Sequence, residues 1–235
     1  MMNILAFGAH PDDIEFLCSG TLLKYHKQGH KIYIALTTSG NTGSNQFDSR
    51  DTLAAARERE QLEAARYYDA QVRFLRFEDE GLQDTPESRR AVLTAIRWAN
   101  PDVILTNPPW DPSTDHGMTG RLVTQVLLSV GGKQHPADLP PIDKTPQVFF
   151  WDIPGGIGFQ PEVYVDISEE MDEKLKAIQC HESQYAWSKT FMEDDFLDYA
   201  QALSRYRGFQ AGTDYAEGFV SHKMYAFMAD PRKLP

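Results

Sequence analysis

His10, Asp12 and Asp13 crowd into the run Gly8-Ala9-His10-Pro11-Asp12-Asp13, and Asp115-His116 makes a second knot of ligand chemistry further along the chain. Imidazole and carboxylate are ordinary ligands for a divalent metal, and a catalytic zinc site needs three protein ligands with one position left open. His10 and Asp13 are three apart at an expected helix start, so both can face one point. Asp12 and Asp13 are adjacent and should point differently, which leaves one carboxylate free for proton transfer. His116 completes a His-Asp-His set. The same residues also admit a plainer reading: Asp12 or Asp13 can cap the helix that follows, and Asp115 can cap the next or orient a ligand. Both readings stay open at this level.

The elements that must position these residues alternate between two periodicities. Residues 3–8, 31–37, 72–77 and 102–106 read as strands. Residues 15–28, 50–69, 87–100 and 116–130 read as helices, the third with Val92, Leu93, Ile96 and Ala99 on one side. Four βα units in a row predict an α/β domain with a parallel sheet, helices on both faces and right-handed crossovers. Strands are also expected at 147–153 and 162–167, and helices at 169–185 and 194–206. No linker divides residues 1–235, so a single domain is expected. In a doubly wound sheet of order 3-2-1-4-5 the winding reverses between strands one and four, and ligands bind beyond the strand ends there. The two ligand-rich loops follow those two strands.

Composition narrows the function. The chain has 235 residues, with 23 Lys+Arg against 34 Asp+Glu, a net charge of −11. That balance argues against a nucleic-acid binder, which needs a basic surface over phosphates. Two Cys cannot make a Cys-rich zinc module or a disulfide framework. No run approaches the roughly 20 apolar residues of a membrane span, and the first residues carry no basic targeting segment. A cytoplasmic protein without a membrane partner is expected. No G-x-G-x-x-G follows the first strand, and carboxylates there would repel a pyrophosphate, which argues against a nucleotide-dependent enzyme.

The run GAHPDDIEFLCSGTL, with Asp115-His116, resembles the LmbE/PIG-L family of zinc-dependent de-N-acetylases, including its bacillithiol-pathway branch. RERE around Arg57, FEDEG around Asp79, HESQ at 181–184 and YAEGF at 215–219 support the resemblance over nearly the whole chain. It implies a Rossmann-like fold and hydrolysis of an N-acetyl group from a glucosamine-containing small molecule. It implies that His10, Asp13 and His116 bind Zn2+, or another divalent metal, and that Asp12 is general base and then general acid. It places Arg57 and Asp79 near the sugar, and it implies a homo-oligomer, a trimer or hexamer. The chain departs from the family pattern at Ser113, where members carry a His thought to stabilise the oxyanion. Losing one such donor typically costs about 10²–10³ in rate. Gly40-Asn41 replaces a usual Gly-Glu, and the 43–51 loop is longer. A catalytically weakened sugar-binding or regulatory member of the same fold is therefore the alternative expectation.

Among the remaining residues, Trp110 is expected as a wall of the sugar pocket, while Trp98, Trp151 and Trp187 are expected in the core. His26 and His30 read as solvated, and His181 as a hydrogen-bonded packing residue. Glu217 either reaches the pocket or bridges helices, with the structural role expected.

Overall fold

The computed structural model describes residues 1–191, 195–224 and 227–235. Strands β1 (Asn3–Gly8), β2 (Lys31–Thr38), β3 (Gln71–Phe77), β4 (Val103–Thr106), β5 (Gln147–Trp151), β6 (Val163–Asp166) and β7 (Ala216–Ser221) form one seven-stranded sheet in the order 3-2-1-4-5-7-6. The pairs among β1 to β5 are parallel, while β7 runs antiparallel to both β5 and β6. The winding reverses between β1 and β4, as expected for the common 3-2-1-4-5 order.

Helices cover both faces, and the alternation of side chains along β1 divides the core. Ile4 and Ala6 pack with Ile14 and Leu22 from α1 (Asp13–Leu17) and α2 (Ser19–Lys27). Leu5 and Phe7 pack against Val92 and Ile96 of α4 (Pro86–Ala99) and Leu122 and Val123 of α5 (Thr114–Gln125). A strand covered on both sides gains about 1.5–3 kcal/mol from each large apolar side chain it buries, so it reads as a continuous apolar run. Between β2 and β3 lies α3 (Arg50–Ala64), whose start is closed by a capping box from Ser49 and Thr52. After β6 come α6 (Met171–Gln179), α7 (Glu182–Phe191) and α8 (Phe196–Ala211). The expected helix start at residue 194 lies outside the described residues.

Three expectations about elements need correction. The helix expected over 15–28 is broken at Cys18. The break is satisfied from a distance: Glu217 on β7 accepts hydrogen bonds from the backbone N–H groups of Gly20 and Thr21 and from the Thr21 hydroxyl. Lys174 Nζ lies 2.6 Å from the same carboxylate, in a pair almost wholly buried. Glu217 thus joins helices and sheet and does not reach the cavity described below. The helix expected over 169–185 is two helices, parted at Cys180 and His181. The strand β7 has no counterpart among the expected elements. Its Gly218 permits a close approach, since a Cβ there would stand 2.5 Å from Pro161 Cγ.

Candidate active site

The loops after β1 and β4 meet at the switch point and open into a cavity of about 620 Å3. His10, from the first loop, faces His116, two residues into α5, with Nδ1 and Nε2 3.2 Å apart. Asp13 Oδ1 lies 3.2 Å from His116 Nε2 and 3.7 Å from His10 Nδ1. Bonds of about 2.0–2.1 Å at tetrahedral angles place ligand atoms about 3.3 Å apart, so this donor set fits a single zinc-sized ion. Asp13 is fixed from behind, because its other oxygen accepts hydrogen bonds from the backbone N–H groups of Ala9 and His10.

Carboxylates hold both imidazoles. His10 Nε2 sits 2.8 Å from Asp79 and 3.4 Å from Asp115, and His116 Nδ1 sits 3.2 Å from Asp111. A carboxylate behind a ligating imidazole fixes its tautomer and raises its basicity. Burial alone would lower the pKa of both histidines. The neighbouring carboxylates outweigh it and hold His116 up at about 10 and His10 well above its ordinary value. The same contacts hold Asp13 well below the usual carboxylate range, against the opposing effect of burial, and they lower Asp79 as well.

Asp12 stands apart from this set. Its backbone φ is 115°, a value that costs a non-glycine residue about 1–3 kcal/mol. Arg57 secures it, donating to Asp12 Oδ1 at 3.0 Å, to the Pro11 carbonyl and to the Gly40 carbonyl at 2.9 Å. Gly40 makes room for that guanidinium, since a Cβ there would collide with Arg57 Nη1. Burial pushes the Asp12 carboxyl up, and Arg57 pulls against it. The carboxylate therefore lines the cavity beside the His-Asp-His set without joining it.

Several expected residues are placed differently. Arg57 and Asp79 border the cavity, but their hydrogen bonds are made to the protein: Arg57 as above, and Asp79 to His10 and to the Thr42 hydroxyl and N–H. Of the two readings offered for Asp115, capping α5 is not met, while orienting a ligand is, since it stands 3.4 Å from His10 Nε2. Its oxygens accept from the backbone N–H groups of Glu80 and Leu82 while it flanks His10. Ser113 precedes α5 and lines the cavity, with its N–H donated to Asp111. Trp110 is not part of the cavity wall. It is 50% exposed and packs edge-on against Phe150 of β5. Trp187, expected in the core, lines the cavity instead. His181 is buried on Glu15, as expected of a packing residue. His30 accepts a hydrogen bond from the Met2 N–H, so it is not simply solvated.

Sequence reasoning missed Asp111, the partner of His116, although its five-residue spacing from that histidine was a usable signal. It also missed Phe16, Phe196 and Tyr199, which join Trp187 along the cavity. Nothing local distinguishes these aromatics from core residues.

Comparison with known proteins agrees with this geometry. Residues 5–127 match the family described as PIG-L: GlcNAc-PI de-N-acetylase. Diacetylchitobiose deacetylase of Thermococcus kodakarensis is 29% identical over 227 residues, covering 92% of this chain and 81% of that protein. A probable N-acetyl-alpha-D-glucosaminyl L-malate deacetylase 2 of Bacillus anthracis is 26% identical, covering 83% of this chain and 87% of its own. A conserved protein of Thermus thermophilus superposes with a TM-score of 0.81 at 30% identity, covering 95% of this chain and 96% of that one. With more than half of its length matched and its ligand-rich loops inside the match, the chain belongs to the PIG-L family of de-N-acetylases.

Proposed function

We propose that this protein is a metal-dependent amidohydrolase that removes the N-acetyl group from a small molecule containing N-acetylglucosamine. The observation that carries this reading is Asp12, a strained and mostly enclosed carboxylate held beside two imidazoles and a second carboxylate, Asp13, in one cavity. His10, Asp13 and His116 would hold the metal, with zinc the ion their chemistry fits. A divalent ion there would polarise the acetamide carbonyl and lower the pKa of water toward about 7.

The chain's own residues supply the proton movements. Asp12 Oδ2 or Oδ1 takes a proton from the attacking water and returns it to the sugar nitrogen as the C–N bond breaks. Water and the acetamide thus become acetate and a free amine. A carboxyl raised by burial gives up that proton more readily to an amine than to bulk water at neutral pH. Arg57 favours the ionised form of Asp12 that the first proton transfer needs. Asp111, Asp79 and Asp115 hold the two imidazoles in register. Ser113 borders the cavity where family members carry a His, and a slower enzyme is expected for that reason.

The test is acetate release from simple N-acetylglucosaminides, with and without a chelator, beside the metal content of the protein. Asp12→Asn should retain its metal and lose about 10²–10⁴-fold in turnover. Wild-type turnover in that variant would overturn the general-base assignment. Bound metal with no acetate from any glucosaminide would favour the weakened, sugar-binding reading that Ser113 supports, and Ser113→His should then restore release. The same proposal includes a cytoplasmic homo-oligomer, a trimer or hexamer, which light scattering measures directly. No helix among the described residues is long and apolar enough to cross a membrane.

A further inference from the structure

The cavity has a second character besides its metal-ligating corner. Phe16 of α1, Trp187 of α7, and Phe196 and Tyr199 of α8 line it, together with Leu17 and Pro154. Three of the aromatic rings form a continuous group, with Phe16 centred 4.8 Å from Phe196 and 5.5 Å from Tyr199. Flat apolar rings offer large contact area at low entropic cost, and they suit a ligand with an apolar face.

The charges along the cavity are one-sided. Asp12, Asp13, Asp79, Glu80, Asp115 and Asp195 all line it. Among the described residues, Arg57 is the only lysine or arginine that does so. Arg57 cannot serve as an anion receptor. It is 3% exposed, its donors to Asp12, Pro11 and Gly40 are committed, and its Nε is shut away from solvent. Lys189 lies nearby, but its ammonium pairs with Asp195 at 3.4 Å and sits 4.3 Å from the centre of the Tyr185 ring. Even with a dication held by His10, Asp13 and His116, carboxylates outnumber the positive charges. An anionic group brought here would lose its hydration and meet like charge, with no cationic side chain to replace the water.

We infer that the cavity takes an N-acetylglucosaminide whose aglycone is uncharged and presents an apolar face to the Phe16–Trp187–Phe196–Tyr199 wall, and that it rejects the same sugar bearing a carboxylate or phosphate. This rests on the deacetylase reading above and adds the substrate's other half. Specificity of this kind comes as much from repelling the wrong ligand as from holding the right one. Trp187 is the specificity-determining residue, because it contributes the broadest ring to the wall.

The experiment uses the metal-loaded, full-length protein and three glycosides of N-acetylglucosamine: methyl, phenyl and 4-carboxyphenyl. Acetate release gives kcat/KM, and calorimetry on Asp12→Asn gives the Kd of each glycoside whether or not it is hydrolysed. The phenyl glycoside should exceed the carboxyphenyl by about tenfold or more in both measures, and the gap should narrow as salt is raised. Trp187→Ala should raise KM and Kd for the phenyl glycoside by about tenfold while leaving the methyl glycoside within about twofold. Trp187→Phe should recover most of the loss. Equal or tighter binding of the carboxyphenyl glycoside would overturn the inference, as would a Trp187→Ala effect that is the same for all three. Binding in the expected order without acetate release would overturn the deacetylase reading and leave this one standing. No binding of any glycoside would overturn both.

Discussion

The loops after β1 and β4 and the helices that follow β6 border the same cavity, yet they treat buried charge in opposite ways. Around the first, Asp12, Asp13, Asp111 and Asp115, joined by Asp79 from the loop after β3, surround two imidazoles, and only Arg57 offsets them with a permanent charge. In the later part of the chain each buried charge meets its complement. Lys174 joins Glu217 at 2.6 Å and Arg207 joins Asp152 at 2.5 Å, both pairs nearly out of solvent. Arg207 further donates to the carbonyls of Gly156 and Phe159, which fixes the segment after β5. An excess of like charge is costly unless something else supplies the opposite sign. The first region holds that cost where a dication would relieve it. The second settles its charges internally and supplies a rigid wall.

The largest test of this contrast lies in the second region. Lys174→Met should cost about 3–5 kcal/mol, because it strands a buried Glu217. Denaturant melts measure the loss, and Lys174→Met combined with Glu217→Gln should recover much of it. A single variant as stable as the parent would show that the pair is not holding α2 and α6 to β7.

The first region responds to protons instead. The carboxylates around the two imidazoles favour their protonated forms in the metal-free protein, holding His116 up at about 10 and raising His10, whereas ligation needs neutral imidazole. Metal binding must therefore expel protons. Apparent affinity should climb by about tenfold or more per pH unit between about pH 6 and 8. The metal-free fold behaves the other way. A raised folded-state pKa adds stability that is fully present below the unfolded value near 6.5, and that gain disappears as pH rises through about 10. Competition titrations and melts at several pH values follow both trends, and a flat affinity profile would contradict the donor set.

Asp111→Asn should weaken metal binding by about 10–100-fold, and it should also lower the melt of the metal-free protein at neutral pH, since His116 loses a buried carboxylate partner. Unaltered metal affinity would remove Asp111 from the site. The smallest expected effect is at Trp110. Trp110→Ala should leave acetate release within about twofold, because the ring packs on Phe150 away from the cavity. A large loss of turnover there would redraw the cavity wall.

How much of this is legible in the sequence differs between the same two regions. The run of four βα units follows from periodicity, and the common 3-2-1-4-5 order of doubly wound sheets, taken with it, brings the two ligand-rich loops together. His10, Asp13 and His116 can be singled out because their chemistry is unusual at strand ends. The break at Cys18 cannot, since the N–H groups after it find their acceptor in Glu217, almost the whole chain away. β7 is hidden for a related reason: a strand carrying an inward Glu and a Gly does not show clean alternation.

By itself, then, the sequence determined the parallel half of the sheet, the class of chemistry and the residues that can hold a metal. These rest on local pattern and on side-chain types whose properties travel with them. Tertiary structure alone decided which carboxylate backs which imidazole, that Arg57 is spent on Asp12 and Gly40, and that Trp187 rather than Trp110 borders the cavity. Those outcomes depend on contacts between segments distant in the chain, where position, and not residue type, sets what a side chain can do.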